Sequence, residues 1–108
     1  MNKNSKILVT GANGYIGNCL FHSLKKKFKV IGVDKETKFN NKIYKCDLLN
    51  IKKFNQILDK EKPEVIVHLA AQSLVDETIN KKKYYRNNVM ATGCLLKSMK
   101  KNKITKLI

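Results

Sequence analysis

Residues Lys6-Ile-Leu-Val-Thr-Gly-Ala-Asn-Gly-Tyr-Ile-Gly17 decide how the rest of the chain is read. Lys6 to Thr10 is a short apolar run suited to a buried parallel strand, and Gly11, Gly14 and Gly17 then punctuate a turn into a helical pattern. Each glycine has its own physical reason. Gly11 permits a tight exit from the strand, Gly14 lets backbone N–H groups approach a phosphate, and Gly17 lets the helix lie close to the sheet. The first turn of such a helix offers N–H groups without acceptors and a partial positive charge, an anion site suited to a pyrophosphate.

A glycine triplet alone can be an ordinary strand-to-helix turn, so its surroundings must discriminate. This one follows a strand, opens a helix with Ile16, Leu20 and Leu24 on one face, and precedes a second apolar run, Lys29-Val-Ile-Gly-Val33, that ends in Asp34. An acid about 20 residues beyond the glycines is where dinucleotide folds place the acceptor for the adenosine ribose. Asp34 can accept both ribose hydroxyls, and its charge opposes a 2′-phosphate, so NAD is the expected cofactor rather than NADP. The competing reading of Asp34 is a solvated strand-end acid, and the adjacent Lys35 softens the discrimination.

The chain continues in alternation. The first helix is expected from Tyr15 to Lys27, with Lys25, Lys26 and Lys27 complementing its carbonyl end. After a polar loop, Lys42 to Cys46 reads as a third strand with Ile43 inward, and Asn50 as the N-cap of a helix bearing Ile51, Phe54, Ile57 and Leu58. Pro63 stops that helix. Glu64 to Ala70 is the most apolar stretch and should be an interior strand, followed by a polar turn, Ala71-Gln-Ser73. A long helix is expected over Lys81 to Lys101, with Tyr85, Val89, Leu96 and Met99 on its buried side. Lys106-Leu-Ile108 reads as the start of a further strand, which suggests a fragment. The pattern predicts one α/β domain over residues 1–108, a doubly wound, Rossmann-like parallel sheet incomplete at its carboxyl end.

The formal charge of +15 would ordinarily point to nucleic acid or an anionic membrane. Of the 23 basic residues, however, only Arg86 is arginine, and the lysines are scattered over every expected helix and loop. Recognition of nucleic acid favours arginine and aromatic residues interleaved on one face, so no nucleic acid partner is expected. Cys19, Cys46 and Cys94 are odd in number and widely spaced, which suggests neither disulfides nor a metal site. No apolar run is long enough to span a membrane and no secretory h-region is visible, so a soluble, cytoplasmic protein is expected.

Other residues suggest chemistry less sharply. Asp47 sits at the carboxyl end of the third strand, the edge on which open α/β sheets bind ligands, although a turn acid explains it almost as well. Ala70 and Ala71 are small enough to let a cofactor lie against the backbone. His68, inside the most apolar strand, reads as a core histidine with a satisfied ring rather than a catalytic group. Asn88 could turn its amide to the sheet or to solvent.

Thr10-Gly-Ala-Asn-Gly-Tyr-Ile-Gly17 resembles the T-G-x-x-G-x-x-G loop of extended short-chain dehydrogenases/reductases, and His68-Leu-Ala-Ala71 resembles their H-x-A-A strand. Within that family, Ser73-Leu-Val75 and Tyr84-Tyr-Arg-Asn-Asn-Val89 followed by Thr92 are most similar to the UDP-glucose 4-epimerases. The likeness covers nearly the whole chain as the amino-terminal part of a protein about three times longer. Departures are Ala91 for the family glycine, Ser73 for its lysine and Lys83 for the proline before the tyrosines. Ala70-Ala-Gln-Ser73 is shared with sugar-nucleotide 4,6-dehydratases, which stay open as an alternative, as does a non-catalytic NAD-binding module.

The resemblance implies that the backbone at Tyr15 and Ile16 meets the pyrophosphate, Asp34 the ribose, and Asp47 with Leu48 the adenine. It also implies that Leu69, Ala70, Ala71 and Ser73 line the far side of the cofactor and that Asn88 reaches it from the helix. A UDP-sugar would be the substrate, no metal would be bound, and the full-length enzyme could form a homodimer. In such enzymes a hydride leaves C4 of the sugar for the cofactor while a tyrosine of a Y-x-x-x-K pair takes the hydroxyl proton. No Y-x-x-x-K follows Ala71, so no catalytic residue is expected in this chain.

Overall fold

The computed structural model describes residues 4–36, 43–70 and 81–108. Strand β1 (Lys6–Thr10) leads through the glycine turn into helix α1 (Tyr15–Leu24), and β2 (Lys29–Asp34) follows. Next come β3 (Ile43–Lys45), helix α2 (Ile51–Glu61) and β4 (Val65–His68). A helical stretch then passes from α3 (Lys81–Tyr84) through a π-helical segment (Tyr85–Met90) into α4 (Ala91–Lys101), and β5 (Lys106–Leu107) closes the chain. The strands form one parallel sheet in the order β3-β2-β1-β4-β5. The α/β, Rossmann-like fold expected from the alternation is the fold observed.

Because side chains alternate across a strand, β1 sends Ile7 and Val9 to one face and Leu8 to the other. Ile7 and Val9 pack with Val30, Val67 and the fully buried Phe21 of α1. Leu8 packs with Ile31, Val33, Ile66 and with Phe54, Leu58, Leu95 and Met99 of α2 and α4. Both sheet faces are therefore covered, as the apolar strands require. Burying each of Phe21 and Phe54 contributes roughly 1.5–3 kcal/mol.

Local signals set the helix ends. Asn50 caps α2 by accepting the Lys53 N–H at 3.2 Å, and the helix stops at a left-handed Lys62 just before Pro63. Helix α1 ends at Leu24, shorter than expected, because Lys25–Lys27 turn towards β2. Ile16 is 66% exposed, and Gly17 and Phe21 supply the buried face instead.

The long helix departs most from expectation. Met99 is buried as expected, but Tyr85, Val89 and Leu96 are exposed, and Ala91, Leu95 and Ser98 are buried in their place. The spacing of Tyr85, Val89 and Leu96 describes one face of an uninterrupted α-helix. A π segment closes i→i+5 hydrogen bonds and holds more residues per turn, so it takes Tyr85 and Val89 out of line with the buried stripe of α4, while Leu96 lies beside that stripe rather than on it.

Candidate functional site

The carboxyl ends of β1, β2 and β4 open onto a cleft of about 670 Å³, within the range of small-molecule sites. Its rim begins at Gly11, whose φ of +71° is costly for any residue with a side chain. The Gly11 N–H donates to the Val33 carbonyl at 2.8 Å, and a Cβ on Gly11 would fall 2.8 Å from the backbone of Leu69 and Ala70. The loop is thus pressed between the ends of β2 and β4.

Gly17 and Gly14 are glycines for different reasons. A Cβ on Gly17 would stand 2.0 Å from the Gly11 carbonyl oxygen, so the packing of α1 against its own loop excludes a side chain. The close neighbour is that loop, not the sheet. A Cβ on Gly14 would meet one protein atom, the same oxygen, at 3.3 Å, and its backbone lies in the extended region open to any residue. Packing opposes a side chain at 14 only mildly, by a close contact with one backbone oxygen. What a side chain there would enter is the cleft, which Gly14 lines.

Helix α1 starts at this point without a side-chain cap and without an acid in its first turn. Its leading N–H groups, at Tyr15, Ile16 and Gly17, have no intrahelical acceptor, and the positive end of the helix dipole faces the cleft. This arrangement suits a phosphate group approaching over Gly14.

Asp34 stands at the other side of the loop as a fixed acceptor. One carboxylate oxygen accepts the Asn13 N–H and the other the Glu36 N–H, each at 3.0 Å, while the Asn13 amide donates to the Glu36 carbonyl. A carboxylate has about four acceptor positions, so two remain to accept from a ligand. Asn13, inside the glycine motif, carries no signal of its own in the sequence; its N–H ties the glycine loop to Asp34.

Asp47 and Leu48 line the cleft beyond Asp34. One Asp47 carboxylate oxygen accepts the Leu49 N–H at 3.0 Å, so Asp47 is a turn acid that also borders the cleft. Leu69 and Ala70 complete the opposite wall. Ala71 and Ser73 lie outside the described residues. Asn88 lies in the π segment and is not among the residues bordering the cleft; its carbonyl accepts the Thr92 hydroxyl at 2.7 Å.

Lys35 borders the cleft beside Asp34, and Thr10, Val33, Glu36, Cys46 and Ala91 line it as well without a signal in the sequence that marks them as a group. Cys46 immediately precedes Asp47, and that adjacency was the available signal. Its thiol donates to the Asp47 carbonyl at 3.4 Å, and burial pushes its pKa above the ordinary thiol value, which suits a packing role rather than nucleophilic chemistry. His68 is half-buried with both ring nitrogens hydrogen-bonded, and burial lowers its pKa. Among the described residues no His, Cys, Asp and Glu cluster could hold a metal ion, and no helix is long and apolar enough to cross a membrane.

The NAD dependent epimerase/dehydratase family matches residues 7–108. A dTDP-D-glucose 4,6-dehydratase from Dictyostelium discoideum is 35% identical over 120 residues, covering 95% of this chain and 28% of that protein. A GDP-6-deoxy-D-talose 4-dehydrogenase from Aggregatibacter actinomycetemcomitans is 38% identical over 104 residues, covering 94% of this chain and 33% of that protein. Among solved structures, the UDP-Glc/GlcNAc 4-epimerase from Campylobacter jejuni superimposes with a TM-score of 0.83 at 30% identity, covering 96% of this chain and 36% of that one. The chain spans about a third of the length of the proteins it matches.

Proposed function

Since the chain belongs to the NAD dependent epimerase/dehydratase family, we propose that its cleft is the NAD cradle of a sugar-nucleotide enzyme acting at C4 of the sugar, and more finely of a UDP-glucose 4-epimerase. The observation that carries the cofactor reading is Gly14, whose missing side chain leaves room in the cleft rather than in the protein interior, at the open end of α1. NAD, when bound, supplies a hydride acceptor and donor for chemistry at that carbon.

The residues of the chain divide the binding task. The N–H groups at Tyr15, Ile16 and Gly17 would hold the pyrophosphate, and Asp34 the adenosine ribose. Asp47 and Leu48 would border the adenine, and Leu69 and Ala70 would back the far side of the cofactor. The family resemblance adds Ala71, Ser73 and Asn88 to that side, although Asn88 does not itself border the cleft. The negative charge of Asp34 favours NAD over NADP. In this reading the chain is the cofactor-binding third of the enzyme, and its acid/base pair and most of its sugar site belong to the remaining length of the protein.

The epimerase reading rests on the likeness of the backbone to the Campylobacter jejuni enzyme and on Tyr84-Tyr-Arg-Asn-Asn-Val89. A second reading, a 4,6-dehydratase, is favoured by the Dictyostelium relative and by Ala70-Ala-Gln-Ser73. The names of these relatives share position 4 of the hexose. Incubating the whole enzyme separately with UDP-galactose and dTDP-glucose separates the readings. UDP-glucose formation without net NADH production supports the epimerase, and a 4-keto-6-deoxy sugar from dTDP-glucose supports the dehydratase. A protein that fails to bind NAD by calorimetry would refute both.

A further inference from the structure

Three hydroxyl and imidazole groups form a continuous chain behind the cleft. Thr10 and His68 are partners in the parallel register of β1 and β4, so their side chains stand side by side on one sheet face, beneath α4. Thr10 Oγ1 lies 2.7 Å from His68 Nδ1, and His68 Nε2 lies 2.9 Å from Thr92 Oγ1. The Thr92 hydroxyl donates to the Asn88 carbonyl at 2.7 Å. On the other side, Thr10 Oγ1 accepts the N–H groups of Leu69 at 3.0 Å and Ala70 at 3.2 Å, the two residues that wall the cleft.

Counting donors fixes the direction of every bond. A hydroxyl has one proton and two acceptor positions. The Thr92 hydroxyl proton goes to the Asn88 carbonyl, so His68 Nε2 must donate to Thr92. Thr10 Oγ1 already faces the Ala70 N–H and the Leu69 N–H, which it shares with the Thr10 carbonyl at 3.2 Å, so its proton goes to His68 Nδ1, which is unprotonated. The ring is then neutral with its proton on Nε2, donated to Thr92, whose own proton is committed to the Asn88 carbonyl. No donor faces a donor, and no group in the relay is idle.

We propose that His68 is a positioning residue of the cleft, held as the Nε2–H tautomer between Thr10 and Thr92 so that it ties the Leu69–Ala70 backbone to the helix carrying Asn88. The proposal rests on the cofactor reading of the cleft. Its consequence is that the wall against which NAD lies is set by a residue that does not touch it. If the relay is cut at Thr92, His68 Nε2–H loses its acceptor, the ring is free to turn or change tautomer, and the Thr10 hydroxyl loses its fixed partner.

Two measurements on the whole protein test this. In long-range 15N–1H spectra the unaltered protein should show His68 as the neutral Nε2–H tautomer near neutral pH; an Nδ1–H tautomer or an imidazolium there overturns the proposal whatever the variants do. Thr92→Val, which keeps the shape and removes the hydroxyl, should weaken NAD binding about tenfold and shift the His68 ring signals, with a modest drop in melting temperature because the His68 Nε2–H loses its acceptor. Thr92→Ser should restore both the affinity and the signals. If Thr92→Val binds NAD as the unaltered protein does, the proposal falls while the cofactor reading stands. If the unaltered protein binds no NAD, the cofactor reading falls and takes the proposal with it.

Discussion

The Gly11 carbonyl oxygen lies where a side chain on Gly17 would begin, 2.0 Å from its ideal Cβ position. The two glycines are six residues apart in sequence, yet one enforces the other. Gly17→Ala must therefore move α1 or open the loop, and overpacking of this kind typically costs about 1–3 kcal/mol. Chemical denaturation should report that loss.

Gly14→Val should behave oppositely. Its Cβ meets only the Gly11 oxygen at 3.3 Å, so the protein should stay folded, while the branched side chain blocks the approach of a pyrophosphate. Titration calorimetry should find NAD affinity lost at near-normal melting temperature. Unchanged affinity in a folded Gly14→Val protein would show that the loop is not the phosphate site.

Asp34 controls cofactor choice in the proposed reading. Asp34→Ala should weaken NAD binding and narrow the preference over NADP, because the ribose acceptor and the repulsion of a 2′-phosphate disappear together. It also frees the N–H groups of Asn13 and Glu36, so some loosening of the loop should accompany it. Equal affinities for NAD and NADP in the unaltered protein would sink this account of Asp34.

Stability should depend on pH through His68. Burial lowers its folded-state pKa below the ordinary 6.5, so the unfolded chain binds this proton more readily than the native one. The contribution is complete above about pH 6.5 and is lost as the pH falls from there towards the lowered folded value. Urea midpoints measured downwards from neutral pH should decline through this window, and His68→Asn should flatten the decline. A decline of the same size in the variant would assign it to other groups.

Residues 1–108 alone should show no epimerase turnover. Proton transfer by a placed base is typically worth about 10²–10⁴ in rate, and the described part of the cleft brings together cofactor contacts without a base held against a substrate hydroxyl. A coupled assay for conversion of UDP-galactose with added NAD is the check. Turnover at an ordinary enzymatic rate would mean that a residue read here as structural, His68 above all, acts as the base.

The features legible in the sequence are those encoded between near neighbours. Apolar runs of strand length separated by helical spacing announced the parallel sheet, Asn50 and Pro63 bracketed α2, and the glycine spacing with Asp34 picked out residues that line the cleft at one edge of the sheet. Each rests on local sterics or periodicity, which a linear string displays directly. What only the tertiary structure decided depends on register and helix phase. The relay joins residues 58 and 24 positions apart, and it exists because β1 and β4 align Thr10 with His68 while α4 brings Thr92 over the ring. Leu95 and Ser98 rather than Leu96 form the stripe of α4 that is buried, and the π segment over Tyr85–Met90, with its extra residues per turn, takes Tyr85 and Val89 out of line with that stripe, a rotation of the preceding turns relative to α4. No spacing in the sequence carries that rotation, because it is the packing of α4 against the sheet that selects which stripe of the helix is buried.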